Sequence, residues 1–433
     1  MTPQSPFMVL AAIDPAREDD LQRLLASLND GPGRVNPDNP LIPFRRFETL
    51  HVARILIVDD RTTGDVSVYG LAARAYPRYL AFLGEVDGSP ATFFQDAARL
   101  APDGLRALFS CCAGFDAGAN LARWMAAHNV AAAAHYVNWR GRTVRRVREE
   151  AALYDRLEQH AHDQRAAFSG QPPRAVHASL RRLILADVAA GRVTLTPDAP
   201  TPRGWRLRNV LHLVGVPLVA LLALPLLVIV GIPIYIRLRR LEATDPELCP
   251  RSDPEDSAAL ARIEDYDVAN PFSAMGSLKP GRVRLWITIL VLLVIDYAAR
   301  HIYTHGNLGR VRSIHFARWV FLDRRARIIF FSNYDGSLET YMDDFINKVG
   351  FGLNVVFSNG IGYPRTTRLL QDGCRDERKF KEYLRRHQIP TQVWYKAYPG
   401  LTAVDLERHS RIRQGLDAPA LGDADARAWV ALL

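Results

Sequence analysis

A histidine and an arginine occur twice in this chain at the same spacing, each pair followed by an aspartate after a loop that is longer in the first copy. His51-Val52-Ala53-Arg54, followed by Asp87, returns as His315-Phe316-Ala317-Arg318, followed by Asp335. Imidazole can shuttle a proton near neutral pH, and guanidinium can grip a carboxylate or phosphate with two parallel hydrogen bonds. Asn333, two residues before Asp335, stands where the first copy has Glu85. The candidate ligand-binding residues are therefore His51, Arg54, Asp87, His315, Arg318, Asn333 and Asp335. Strand alternation sets His315, Ala317 and Trp319 on one face and Phe316, Arg318 and Val320 on the other, so the histidines and arginines should point apart. A competing structural reading is favoured. In it each arginine pairs with Asp87, Asp335 or a carboxylate of the other copy, and each histidine is a hydrogen-bonded strand residue. No catalytic residue is assigned. Ser358-Asn359-Gly360 lacks a neighbouring base, which leaves a serine nucleophile unsupported. Cys111, Cys112, Cys249 and Cys374 form no C-x-x-C pair, so neither a zinc site nor a disulfide framework is indicated, and a reducing compartment fits best.

These residues sit inside a longer duplication. From Phe82 to Phe115 the chain aligns without a gap on Phe330 to Tyr363, with eleven identities in 34 positions, where average residue usage would give about two. His128, Tyr136, Gly141 and Thr143 then match His387, Tyr395, Gly400 and Thr402. Each copy reads as strand, helix, two strands closed by Asp-Gly, a helix capped by Ser89 or Ser337, a further strand (Leu105 to Cys111; Leu353 to Ser358), a helix and a last strand near Tyr136 or Tyr395. The topology fits a split βαβ unit twice over. The expected fold is α+β, with tandem ferredoxin-like repeats paired like a dimeric α+β barrel and a membrane-anchoring helical region inserted between them.

The repeats take residues 1–145 and 268–410. Between them lie a helical connector (146–208), an apolar segment (209–240) and an acidic connector (241–267), and residues 411–433 form a C-terminal tail. Residues 209–236 contain no Asp, Glu, Lys or Arg, which exceeds the ~20 apolar positions that span a bilayer. Pro217, Pro225 and Pro233 should bend this stretch, and a re-entrant path is open to it. A second apolar run, from Leu285 to Ile295, falls at the first helix of the second repeat (282–303). It should pack one side on its sheet and turn the other to lipid or to the 209–236 segment. Paired halves must share a compartment, so the chain crosses a membrane twice or not at all in net terms. The N-terminus has no signal-peptide pattern, which with the cysteines favours the cytoplasmic face of the inner membrane. A net charge of +9 excludes little. The arginines at 140, 142, 145, 146 and 148 lack interleaved aromatics, so lipid headgroups are the expected contact and nucleic acid is not.

The strings IHFARWVFLD, FFSNYDGSLETYMDDFI and PTQVWYKAYPGLT, with RRLEATDPE after the apolar helix, resemble a family of uncharacterised bacterial membrane-associated proteins. The fold also resembles that of dye-decolourising peroxidases and chlorite dismutases, and Gly84-Glu85-Val86-Asp87-Gly88 matches a G-x-x-D-G string of the former. The first resemblance carries no activity. The second implies haem. The leading expectation is a membrane-anchored protein that binds a small ligand or mediates assembly at the cytoplasmic membrane face, with the bilayer as partner. A haem-dependent, peroxidase-like oxidoreductase is the alternative. Ligand and oligomeric state are left open.

Overall fold

Strands form where β-branched and aromatic residues cluster, and helices start at Ser, Thr, Asp or Pro caps. The computed structural model describes residues 1–248 and 250–433, and Cys249 lies outside the described residues. The first half runs β1 (Gln4–Ala12), α1 (Glu18–Ser27), β2 (Leu50–Val58), β3 (Tyr79–Asp87), α2 (Pro90–Leu100), α3 (Pro102–Phe109), α4 (Leu121–Ala127) and β4 (Ala134–Val137). There follow α5 (Val144–Asp163), α6 (Pro173–Ala189), α7 (Arg203–Leu222), α8 (Leu224–Thr244) and α9 (Pro254–Glu264). The second half runs β5 (Ala269–Ser277), α10 (Arg282–His301), β6 (Ile314–Leu322), β7 (Arg327–Asp335), α11 (Leu338–Phe357), α12 (Glu377–His387) and β8 (Val393–Lys396), and α13 (Ala403–Asp417) and α14 (Asp423–Val430) close the chain.

The halves exchange their last strands. One antiparallel sheet has the order β1-β3-β2-β8 and the other β4-β6-β7-β5. Thus β4 leaves the first half to pair with β6, Tyr136 opposite Ala317, while β8 returns to pair with β2, Tyr395 opposite Ala53. The two contacts are equivalent under the duplication. The sheets stack face to face over Met8, Leu56, Leu83, Val320, Ile329 and Phe331, and helices cover their outer faces over larger apolar clusters. A further cluster joins α5 and α6 to the C-terminal helices through Leu157, Ile184, Ile412 and Trp429.

The mixed α+β class stands, and Ser89 and Ser337 cap their helices by accepting from the backbone N–H groups of Thr92 and Thr340. The strands expected at Leu105 to Cys111 and Leu353 to Ser358 are helical, in α3 and in the second half of α11. A short apolar run between turn signals has no periodicity that separates a strand from a buried helix turn, and the length of the flanking helix decided the matter. Cys111, Cys112 and Cys374 are free and buried.

Candidate functional site

Each repeated aspartate makes the same two contacts. His51 Nε2 lies 3.0 Å from Asp87 Oδ1, and Asp87 Oδ2 accepts from the backbone N–H of Val144, which opens α5, at 2.9 Å. His315 Nε2 lies 2.6 Å from Asp335 Oδ1, and Asp335 Oδ2 accepts from the N–H of Ala403, which opens α13, at 2.7 Å. The carboxylates therefore complement the positive end of the helix that follows each exchanged strand and orient the histidine behind it. Gly88 and Gly336, both at φ +82°, supply the left-handed turn that frees each aspartate for this task.

The histidines do not point away from the arginines in the expected manner. Register slips between Leu50 and Val52, and again between Ile314 and Phe316. A bulge at each histidine resets the alternation, because one extra residue turns the following side chains to the other face. His51 and His315 consequently line one gap between the ends of the sheets, with Tyr398 and Arg142. Its volume is about 20 Å³, enough for a single water.

The arginines lie deeper, between the sheets, and each reaches across to the other half. Arg54 donates to the carbonyls of Phe272 and Ser332 at 2.9 and 2.8 Å and to Ser273 Oγ at 3.0 Å. Arg318 donates to the carbonyls of Phe7 and Gly84 at 2.6 and 2.7 Å and to Glu85 Oε1 at 2.5 Å. Glu85 Oε2 in turn meets His135 Nε2 at 2.9 Å. Burial pushes the Glu85 carboxyl up, but Arg318 and His135 outweigh it and hold the group below its ordinary range. Arg54 has Asn333 where Arg318 has Glu85, and Trp394 where Arg318 has His135. Its guanidinium lies 5.0 Å from the Trp394 ring centre. Burial, followed by repulsion from Arg318, pulls Arg54 down to about 9, so it stays charged at neutral pH. Arg318 thus pairs with a carboxylate of the other copy, as the competing reading expects, whereas Arg54 makes no ion pair and is held by two carbonyls and a hydroxyl; both reach across from one half to the other. Glu85 and His135 complete this network and were not among the candidate residues. A carboxylate inside the apolar stretch 80–86 was the signal, since such a group is buried only with a partner.

No macrocycle fits here. The space between the sheets at Arg54 and Arg318 is about 10 Å³, and the residues around it are already bonded to one another. Haem is therefore not accommodated at the repeated residues. Among the described residues no three His, Cys, Asp or Glu side chains are grouped to hold a metal ion.

The arginine cluster is mostly spent internally. Arg142 is buried 4.2 Å over the Trp139 ring, with burial pulling it down to about 10. Arg146 bonds Glu150 and Asp198, and Arg148 donates to the Ala397 carbonyl. Arg145 alone of the five is exposed, too little for a headgroup patch. A cleft of about 740 Å³, lined by charged and apolar side chains together, lies where α1, α9 and the α12–β8 loop meet. Most of its charges are paired, Arg61 with Asp256 at 2.7 Å and Arg78 with Asp59 at 3.1 Å.

The apolar segment is held at both ends by the second half. At its start, Arg300 donates to Asn209 Oδ1 at 2.9 Å, Tyr297 donates to the Leu213 carbonyl at 3.0 Å, and His212 and His301 share a hydrogen bond of 2.8 Å. At its finish, Asp245 accepts from Lys279 at 2.9 Å and from Arg284, and Glu242 accepts from Thr366 and from the backbone N–H groups of Arg368 and Leu369. These carboxylates belong to the RRLEATDPE string. A straight helix from Asn209 to Asp245 would run about 54 Å, yet Arg300 and Arg284 lie only about 24 Å apart along α10. The segment must therefore bend back, and the break between α7 and α8 at Ala223, just before Pro225, is where it does so. Between its two feet the side chains are bare: Leu222 is 73% and Ile229 69% exposed. Among the described residues one helix, Arg203–Leu222, is long and apolar enough to cross a bilayer, with mean hydropathy 1.3.

Comparison with protein-family models, curated proteins and solved structures finds no match to this chain.

Proposed function

We propose that this chain is a duplicated ferredoxin-like protein that rests on the cytoplasmic face of a membrane, held by the bent α7–α8 segment dipping into one leaflet, and that it binds a small ligand there. The observation that carries the reading is the combination of bare apolar side chains from Leu211 to Ile236 with two feet clamped to the same α10, through Arg300 on Asn209 and Arg284 on Asp245. A segment that leaves and rejoins one side of a folded body enters a bilayer without net crossing. From His212 to Ala223 is about 16 Å of helix and from Ala223 to Leu238 about 22 Å, lengths suited to one leaflet of a ~30 Å hydrocarbon core. The outer side of α10 adds Trp286, Leu290, Leu293 and Val294, all exposed. The corresponding helix of the first half, α1, carries Glu18, Asp19 and Asp20 in its first turn, which suits water. Ligand binding is supported by the 740 Å³ cleft, which falls within the ~300–1,000 Å³ of small-molecule sites. Three free cysteines among the described residues suit a reducing compartment.

Flotation of the full chain with phosphatidylcholine vesicles tests the attachment. The protein is expected to float and to resist high salt and carbonate, because salt screens charges but leaves apolar insertion intact. The double variant Leu222→Arg and Ile229→Arg is expected to stay at the bottom. Release of the parent chain by salt would refute the reading. Cys111 and Cys374 are buried, so orientation is read from Ser67→Cys, an exposed position in the first half. Its protection from a membrane-impermeant maleimide in intact cells is the expected result, and labelling there would place the halves outside.

A further inference from the structure

The two halves differ under one glycine. Gly104 of α3 is pressed so tightly under the loop before β2 that an added Cβ would lie 2.0 Å from the Leu41 carbonyl oxygen, and this loop buries Ile42, Phe44 and Phe47. Its counterpart in α11, Gly352, meets nothing within 4 Å. The covering loop accounts for the difference: residues 28–49 join helix to strand in the first half, but only residues 302–313 do so in the second. What remains is a cavity of about 480 Å³ between α10 and α11, floored by Trp319 of β6 and Phe330 of β7. Its walls are apolar, and Leu290, Val294 and Phe351 at its edge are exposed, Phe351 by 66%. Where Phe351 stands, the first half has Asp103.

We propose that this cavity is a binding site for a hydrocarbon chain of a membrane lipid, which enters sideways from the leaflet between α10 and α11. The first half covers the equivalent glycine with its own Leu41 and Ile42, so the fold places apolar matter there, and the second half leaves the space to a ligand. Water is a poor occupant of an apolar cavity, which offers none of the two to four polar partners that an ordered water needs. Lipid is the occupant at hand because the rim, through Leu290 and Val294, belongs to the same exposed apolar side of α10 as Trp286 and Leu293. This inference rests on the membrane attachment proposed above.

The full chain is reconstituted in nanodiscs holding a phosphatidylcholine with a diazirine in one acyl chain, irradiated and mapped by peptide mass spectrometry. Crosslinks are expected both on residues 209–236 and on the inner wall at Trp319, Phe330 and Leu353. In the Gly352→Leu variant, whose new side chain occupies open space, the inner-wall crosslinks should vanish while those on 209–236 persist. Crosslinks on 209–236 alone in the parent chain would overturn the cavity proposal and leave the attachment standing. Absence of crosslinks on 209–236 would overturn both, and undiminished inner-wall crosslinks in Gly352→Leu would overturn the route through the cavity.

Discussion

Replacing Glu85 by Asn gives the first half the residue that the second half already carries at Asn333, and the structure sets the cost. Glu85 is 1% and Arg318 4% exposed, and a second guanidinium, Arg54, shares the interior. Removing one partner of a buried ion pair costs about 3–5 kcal/mol, because the other charge stays behind without compensation. Arg318 would keep the Phe7 and Gly84 carbonyls, so the lower end, about 3 kcal/mol, is expected. Arg54 makes no ion pair of its own, although the buried Glu264 and Glu85 carboxyls favour its charge; Trp394 lies 5.0 Å from it on the exchanged strand, and a desolvated cation over an aromatic face gains about 2 kcal/mol. His135 sits opposite Arg318 just as Trp394 sits opposite Arg54. The double variant Glu85→Asn, His135→Trp should therefore be more stable than Glu85→Asn alone by about 1–2 kcal/mol, even though His135→Trp in the parent background destabilises. Urea unfolding of the detergent-solubilised protein, followed by far-UV circular dichroism, gives all four corners of the cycle. A cost below about 1 kcal/mol for Glu85→Asn, or simple additivity in the double variant, would refute the argument that the network holds the sheets together.

Burial, opposed by hydrogen bonds from Thr391 and Gln388, pushes the Glu264 carboxyl from its ordinary 4.5 up to about 7. The unfolded chain releases that proton from about pH 4.5 while the folded chain keeps it to about 7, so stability should fall across this window by about 3 kcal/mol and level off above it. Glu264→Gln should flatten the slope in urea unfolding between pH 5 and 8. Gly104→Ala should cost several kcal/mol, as its Cβ meets the Leu41 backbone, whereas Gly352→Ala should gain up to about 1 kcal/mol from helix propensity. Thermal melts of the two variants check the contrast, and equal effects would contradict the difference between the halves. Asp245→Ala strips the shared partner from Lys279 and Arg284, both buried, and should open the foot of α8, read as new proteolytic cleavage between residues 240 and 255.

The sequence was informative wherever the pattern was local. The strands around His51, Leu80, Ile314 and Arg327, the helix over 282–303 and the duplication itself follow from alternation, capping and self-similarity. The strand exchange was not legible, because β4 and β8 have four residues each, and which edge so short a strand joins depends on closure of the whole sandwich. The site was half legible. The His–Asp and Arg pairs were found as residues, but the bulges at His51 and His315 reverse their facing, and Glu85 and His135 gain meaning only when the other half is in place. The bend of 209–236 was foreshadowed by its prolines, yet its position depends on α10.

The exchanged strands also set the order in which the molecule can be built. When β4 leaves the ribosome its partner β6 has not been made, and β2 must wait for β8, which lies more than 300 residues further along the chain. The sheet of β1, β3 and β2 cannot close until β8 is made, and pairings over such separations are slow because a long loop must be ordered before any contact repays it. In the meantime β2 presents an open edge and β4 stands unpaired, which invites association with other chains. The apolar segment emerges inside this interval, between the two halves. A nascent chain tethered early by α7 and α8 would keep its two halves near one another, raising their effective concentration while the second is still being translated.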